Sequence, residues 1–298
     1  MINVDSWSPL KEVWLGDCYP TTFYDHLENE VKDCFHKITE YTQHDLKVIS
    51  KKLNELGVNV RRPKYDRVED YINNGQLQKP HITPRDFYFM FNDSLYFKDT
   101  YDGGKPWNAV ISQYEQDNKF KIKPKFDSLQ LNGANIVKAG KDIYFDLCSQ
   151  DDIEKKIENF RNNVYPHFTD FRCHILFNGG HVDGCFAIIK PGLILATSYF
   201  TEYEKTFPGW EIIELSKPEF GNISRPDEGF TAARKWYLPN ISKNDSFNQH
   251  IIKYALDWVG NYKETYFDIN CLVVDEKNVM MLGDNDALYN KLEKKGIN

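Results

Sequence analysis

The stretch "FAIIKPGLILA", residues 186–196, sets two apolar runs on either side of the turn dipeptide Pro191-Gly192. Short β-rich runs around such a turn form a β-hairpin. The phrase recurs as "FYFMFNDSLYF" (87–97), "NIVKAGKDIYF" (135–145) and "CLVVDEKNVMM" (271–281), with Asn-Asp, Ala-Gly and Asp-Glu-Lys-Asn at the tips. Four copies of one hairpin in one chain signal a repeat architecture, and a repeat outweighs the reading of any single element.

Helical sequence lies between the hairpins. In "HDLKVISKKLNELGVNVRRP" (44–63), Leu46, Ile49, Leu53 and Leu56 fall on one helical stripe, Gly57 is a stop, and "VNV" opens a strand. "DDIEKKIENFRNNVYPHFTDFRCHILF" repeats the plan with Asp151 placed to cap, "EYEKTFPGWEIIEL" is a shortened version, and "DNDALYNKLEKKGIN" closes the chain. The unit is hairpin, helix, strand, and about five units fit if "LKEVWLG" (10–16) opens the first. An irregular insertion runs from about 215 to 265, with a helix near 247–259. No low-complexity linker separates two domains, so one pseudo-symmetric α/β domain over 1–298 is expected.

Composition narrows the function. The 298 residues are 41% hydrophobic and 15% aromatic, with 20 Phe and 18 Tyr, which suits a globular, strand-rich protein. A net charge of −7 without a run of five or more Lys/Arg argues against a nucleic-acid or anionic-membrane partner. No apolar stretch is long enough to span a bilayer, and "MINVDSWSPLKEV" has no secretory pattern. The six cysteines lack C-x-x-C spacing, so neither a zinc site nor a disulfide framework is indicated, and a reduced cytoplasmic setting is the default.

Polar residues stand in front of each hairpin. "TPRD" ends in Asp86, "LNGAN" holds Asn132 and Asn135, "GGHVDG" holds His181 and Asp183, and "FDIN" holds Asp268 and Asn270. Asp and Asn are common in turns for local reasons. In a pseudo-symmetric repeat, however, equivalent positions converge on a common axis, and these groups would meet there. In an extended chain His181, Asp183 and Cys185 would also share one face.

With these motifs in order and spacing, the chain resembles the amidinotransferases of the pentein, guanidino-group-modifying superfamily. The resemblance is carried by "SPLKEVWLG", "ELGVNVRRP", "TPRD", "NIVKAGKDIY", "GGHVDGCFAIIKPGLIL", "GWEII" and "INCLVVDEKNVMML". It implies a five-bladed αβ propeller of ββαβ units. It also implies arginine chemistry without a cofactor: a Cys thiolate takes the amidino group from L-arginine, ornithine leaves, and an amine such as glycine accepts the group. By position, His181 is the acid/base, Asp183 and Asp86 grip the guanidinium, and Asn132 lines the same pocket. Carboxylates match a planar cation in shape and charge, and a His near neutrality can serve both proton transfers.

Two departures stand out. Asn132 occupies a place where the family carries an acid, and Asp127 nearby would need a different loop path. The family nucleophile lies beyond the last helix and strand, so it is expected after Asn298, and the 298 residues alone are not expected to complete transfer. Cys185 is the best internal substitute; Cys271 opens an apolar strand and is expected in the core, and Cys18 sits in a loop. Hydrolysis with water as acceptor and a non-catalytic guanidinium-binding role stay open, as does the oligomeric state, a homodimer included.

Overall fold

The computed structural model describes residues 5–73, 76–78, 80–91, 94–97, 105–116, 121–122, 131, 133–147, 152–177, 182–197, 202–215, 269–281 and 285–298. In chain order the strands are β1 (Glu12–Trp14), β2 (Asn59–Arg61), β3 (Ile72–Asn73), β4 (Gln76–Leu77), β5 (Tyr88–Phe91), β6 (Ser94–Phe97), β7 (Lys121–Ile122), β8 (Ile136–Ala139), β9 (Asp142–Asp146), β10 (Arg172–Leu176), β11 (Phe186–Lys190), β12 (Leu193–Thr197), β13 (Glu211–Leu215), β14 (Leu272–Asp275) and β15 (Asn278–Met280). The α-helices are α1 (Asn29–Glu55), α2 (Asn108–Gln116), α3 (Ile153–Asn163), α4 (Tyr203–Thr206) and α5 (Asp286–Glu293).

All four hairpins form where the apolar runs place them, as antiparallel pairs β5-β6, β8-β9, β11-β12 and β14-β15. In the first three units a helix follows the hairpin, and a third strand returns parallel to the second: β7 on β6, β10 on β9, β13 on β12. These are mixed three-stranded sheets built on one ββαβ plan. In the fourth unit α5 is followed by Asn298, whose amide donates to the Lys277 carbonyl at 2.7 Å and whose carbonyl accepts from Val279 at 3.0 Å. The N-terminal unit pairs β1 with β2 in parallel across α1. The fold is α/β, made of small separate sheets, with no closed sheet among the described residues.

The helix read from 44 onward is longer than its stripe, beginning at Asn29. Its first half buries Val31, Phe35 and Thr39, spaced i, i+4, i+8, among Tyr19, Phe23, Tyr24 and Tyr71. Of the expected stripe, Leu46 and Leu53 are buried, while Leu56, at the C-terminal cap, is 37% exposed. Asp151 lies outside the described residues; Asp152 takes the first position before α3, in left-handed backbone and without a side-chain cap bond. Asn285 does cap α5, its side chain accepting from Leu288 at 3.1 Å. The expected helix near 247–259 lies outside the described residues.

Apolar clusters sit between consecutive units. Trp14 of β1 stacks on Trp107 at 4.7 Å beside Tyr88 and Leu95 of the first hairpin. Phe91 and Tyr96 of that hairpin join Ile143, Phe145, Phe160 and Phe168 of the second unit. Tyr144 of the second joins Phe186, Ile188 and Phe207 of the third. Leu193, Leu195 and Ile213 of the third join Leu288, Leu292 and Ile297 of the fourth. Val274 of the fourth packs with Leu53 and Val58 of the N-terminal unit, where the Leu10 amide donates to the Val274 carbonyl at 2.8 Å. Burying a large apolar side chain contributes about 1.5–3 kcal/mol, so these shared clusters fix each unit against its neighbours.

Candidate active site

A single turn of 3-10 helix precedes each of the first three hairpins: Pro84–Asp86, Gly133–Asn135 and Val182–Gly184. The first packs on the second, and the second on the third. Gly133 permits this approach. A Cβ there would stand 2.4 Å from the carbonyl oxygens of Arg85 and Tyr88, closer than any side chain tolerates. Gly16 plays the same part at the end of β1, where a Cβ would lie 2.1 Å from the Ile82 carbonyl just ahead of the first turn.

Arg85 ties the turns together. Its Nε donates to the Gly133 carbonyl at 3.2 Å, and its Nη2 to the Ile136 carbonyl at 3.2 Å. The same Nε stands 3.4 Å from Oδ2 of Asp183, whose side chain is 13% exposed. The guanidinium also acts on the Cys271 thiol, ahead of the fourth hairpin, opposing the burial that pushes this thiol up to about 12. One cation of the first repeat thus contacts residues of the second and the third. A planar fork of five donors suits such a junction better than an ammonium would.

Asp86 is half-buried, its Oδ2 accepting from the Thr83 hydroxyl at 2.6 Å. Asn135 is buried at 1% exposure within its turn, and Asn270 is exposed. His181, Asn132, Asp127 and Asp268 lie outside the described residues; Val182 and Gly133, next to two of them, are in the packed turns. The alternating strand face expected for 181, 183 and 185 is not formed, because Val182–Gly184 is a 3-10 turn and strand geometry begins only at Phe186.

Cys185 closes that turn. Its amide donates to the Val182 carbonyl at 2.9 Å, and its own carbonyl accepts from Thr197 N at 2.9 Å and the Tyr203 hydroxyl at 3.0 Å. Burial first, then the carboxylates of Asp146 and Asp183, push its thiol up to about 12. Burial likewise pushes Cys18 and Cys173 up to about 11. Thiols with such values are protonated near neutrality and are poor nucleophiles. Cys271 packs against the core beside Ile269 and Leu288, as its apolar strand led one to expect.

The residues missed in the sequence are Arg85 and Asp146. Asp146 is fully buried at the end of β9, and its charge is felt at Cys185. Each carried a signal: a cation directly before Asp86 in a turn meant to face a carboxylate, and a lone charge inside "IYFDL". Among the described residues no helix is long and apolar enough to cross a membrane, and no group of three or more His, Cys, Asp or Glu is arranged to hold a metal ion.

The fold is α/β and is shared with solved pentein-fold proteins. Solved structures with the same fold include the SxtG amidinotransferase of Microseira wollei (TM-score 0.64, 17% identity, 99% of this chain and 89% of that one). The inosamine-phosphate amidinotransferase of Streptomyces griseus superposes with a TM-score of 0.61 over 99% of this chain and 88% of that one, at 16% identity. Dimethylarginine dimethylaminohydrolase from Pseudomonas aeruginosa, solved with citrulline, shares the fold at a TM-score of 0.52 and 12% identity, over 97% and 90% of the two chains. In sequence, the chain is 24% identical to inosamine-phosphate amidinotransferase 1 of Streptomyces griseus over 99% of its own length and 88% of that protein's. It is 24% identical to the mitochondrial glycine amidinotransferase of Gallus gallus over 77% of its length, and spans 45% of that protein. No protein-family profile matches the chain. Its homologues are thus named amidinotransferases, and its structural neighbours belong to the pentein superfamily.

Proposed function

We propose that the chain is one five-bladed αβ propeller, cytoplasmic, that binds the guanidinium of L-arginine at its axis and moves the amidino group to an amine. Five apolar clusters support the ring, since they link the N-terminal unit to the first hairpin and the fourth unit back to the N-terminal one. The observation that carries the function is the convergence of three lead-in turns on Asp183, in a fold shared with amidinotransferases.

In this scheme Asp86 and Asp183 hold the guanidinium, and Asn132 lines the pocket as a neutral donor and acceptor. A thiolate attacks the guanidinium carbon, the bond to the δ-nitrogen breaks, and His181 gives that nitrogen a proton so that ornithine leaves as an amine. An amidino-thioether remains. His181, now neutral, takes a proton from the acceptor amine, which attacks the same carbon and expels the thiolate. Burial pushes the thiols of Cys18, Cys173, Cys185 and Cys271 up, which disfavours each of them as the attacking thiolate.

The test is L-arginine labelled with 13C at the guanidino carbon, supplied with glycine. Label in a glycine-derived guanidino product, or on the protein with release of ornithine, supports transfer. Label in citrulline would replace transfer by hydrolysis. Bound but unchanged arginine supports the guanidinium site and leaves transfer to a chain that carries the family nucleophile, whereas absence of binding would overturn the proposal.

A further inference from the structure

Arg85 sits where a cation is least expected if the neighbouring carboxylates are to receive a cationic ligand. Like charges repel, and a resident guanidinium 3.4 Å from Asp183 offsets part of that carboxylate's pull on a second one. Counting formal charges, Asp86 and Asp183 less Arg85 leave one negative charge, the complement of a single guanidinium. The geometry gives Arg85 a second consequence. Its side chain is 48% exposed at one edge, yet its Nε and Nη2 are fixed on the carbonyls of Gly133 and Ile136. Gly133 in turn lies under the Arg85 backbone, with its Cβ position 3.2 Å from the Arg85 Cγ. The guanidinium is therefore held by the second repeat while it faces a carboxylate of the third.

Given the arginine-binding role proposed above, on which this rests, we infer that Arg85 is a positioning residue: it holds the Asp183 carboxylate in register with the second repeat's turn, and acts on the ligand through Asp183. A carboxylate held before the ligand arrives loses less freedom on binding, so its contact is worth more. A charge that merely sat nearby would have the opposite effect, because removing it would strengthen the pull on a cation. The two roles predict different signs.

The experiment is a double-mutant cycle on L-arginine binding, read by calorimetry well below the melting temperature of each variant. Arg85→Met is expected to weaken binding about tenfold, a coupling of about 1.4 kcal/mol. Arg85→Lys keeps the charge but cannot span both carbonyls, and is expected to weaken binding to a similar degree. In the Asp183→Asn background neither change should matter by more than about twofold. Tighter or unchanged binding in Arg85→Met would overturn the inference, leaving Arg85 as a neighbouring charge. Equal weakening with and without Asp183 would also overturn it, in favour of a purely structural staple. Should Arg85→Met not fold, Arg85→Lys decides by the same comparison. Failure of the unaltered protein to bind arginine would refute the binding role, and the positioning role with it; binding that ignores Arg85 would refute only the latter.

Discussion

The Nε of Arg85 and the Oδ2 of Asp183 meet at 3.4 Å, although one residue precedes the first hairpin and the other the third. Among the described residues no strand pairing links the two hairpins directly, and the contact runs through the packed lead-in turns. The contact marks the place where lead-in turns meet, and the predictions follow from how that place is built.

Gly133→Ala should disturb the junction from the backbone. Its methyl would meet two carbonyl oxygens at 2.4 Å, neither of which can rotate away. Overpacking of this kind costs about 1–3 kcal/mol. A lowered urea midpoint with an unchanged slope, and weaker arginine binding, are the expected outcomes. A variant as stable as the parent would show that the turns do not need this approach.

Cys185 should behave as a buried structural thiol. With its value raised to about 12, it stays neutral at pH 7–8, so a thiol reagent should modify it in the native protein far more slowly than in the unfolded chain. The unfolded thiol ionises at an ordinary value near 9, so this group leaves stability unchanged below that pH and lowers it as pH rises toward 12. Peptide mapping after alkylation checks the point. Fast native-state labelling of Cys185 would reopen its candidacy as nucleophile.

Asp142 joins the start of β9 to β10. It receives Arg172 Nε and Nη2 at 2.8 and 2.6 Å and lies 2.7 Å from His174 Nε2. The Arg172 hydrogen bonds, with help from His174, hold its carboxyl below the usual value against the opposing effect of burial. A depressed folded value stabilises above the ordinary carboxylate range and is lost as pH falls through it. Asp142→Asn should therefore lower the melting temperature at pH 7, with the difference closing below about pH 4. A difference that persists undiminished at pH 2 would show that the charge is not its source.

The hairpins were legible because their signal is local: apolar runs around Asn-Asp, Ala-Gly, Pro-Gly and Asp-Glu-Lys-Asn tips, four in all. The first half of α1 was not, since Val31, Phe35 and Thr39 become a helical face only against the aromatic cluster of Tyr19, Tyr24 and Tyr71. At the junction, Asp183 lies in the turn ahead of the third hairpin, where its place in the sequence put it. Arg85 was passed over because its partners are backbone carbonyls and a carboxylate far away in the chain, which no spacing rule encodes. The shared face of 181, 183 and 185 failed for a physical reason as well. A 3-10 turn has three residues per turn, so alternation by two does not hold across Val182–Gly184.

The most direct measurement is a calorimetric titration of the protein and of its Asp183→Asn variant with L-arginine. The parent protein is expected to bind, and the variant to bind more weakly by roughly 2–4 kcal/mol, as when one partner of a largely desolvated charge pair is removed. Equal affinity in the two proteins, or no binding by the parent, would contradict it.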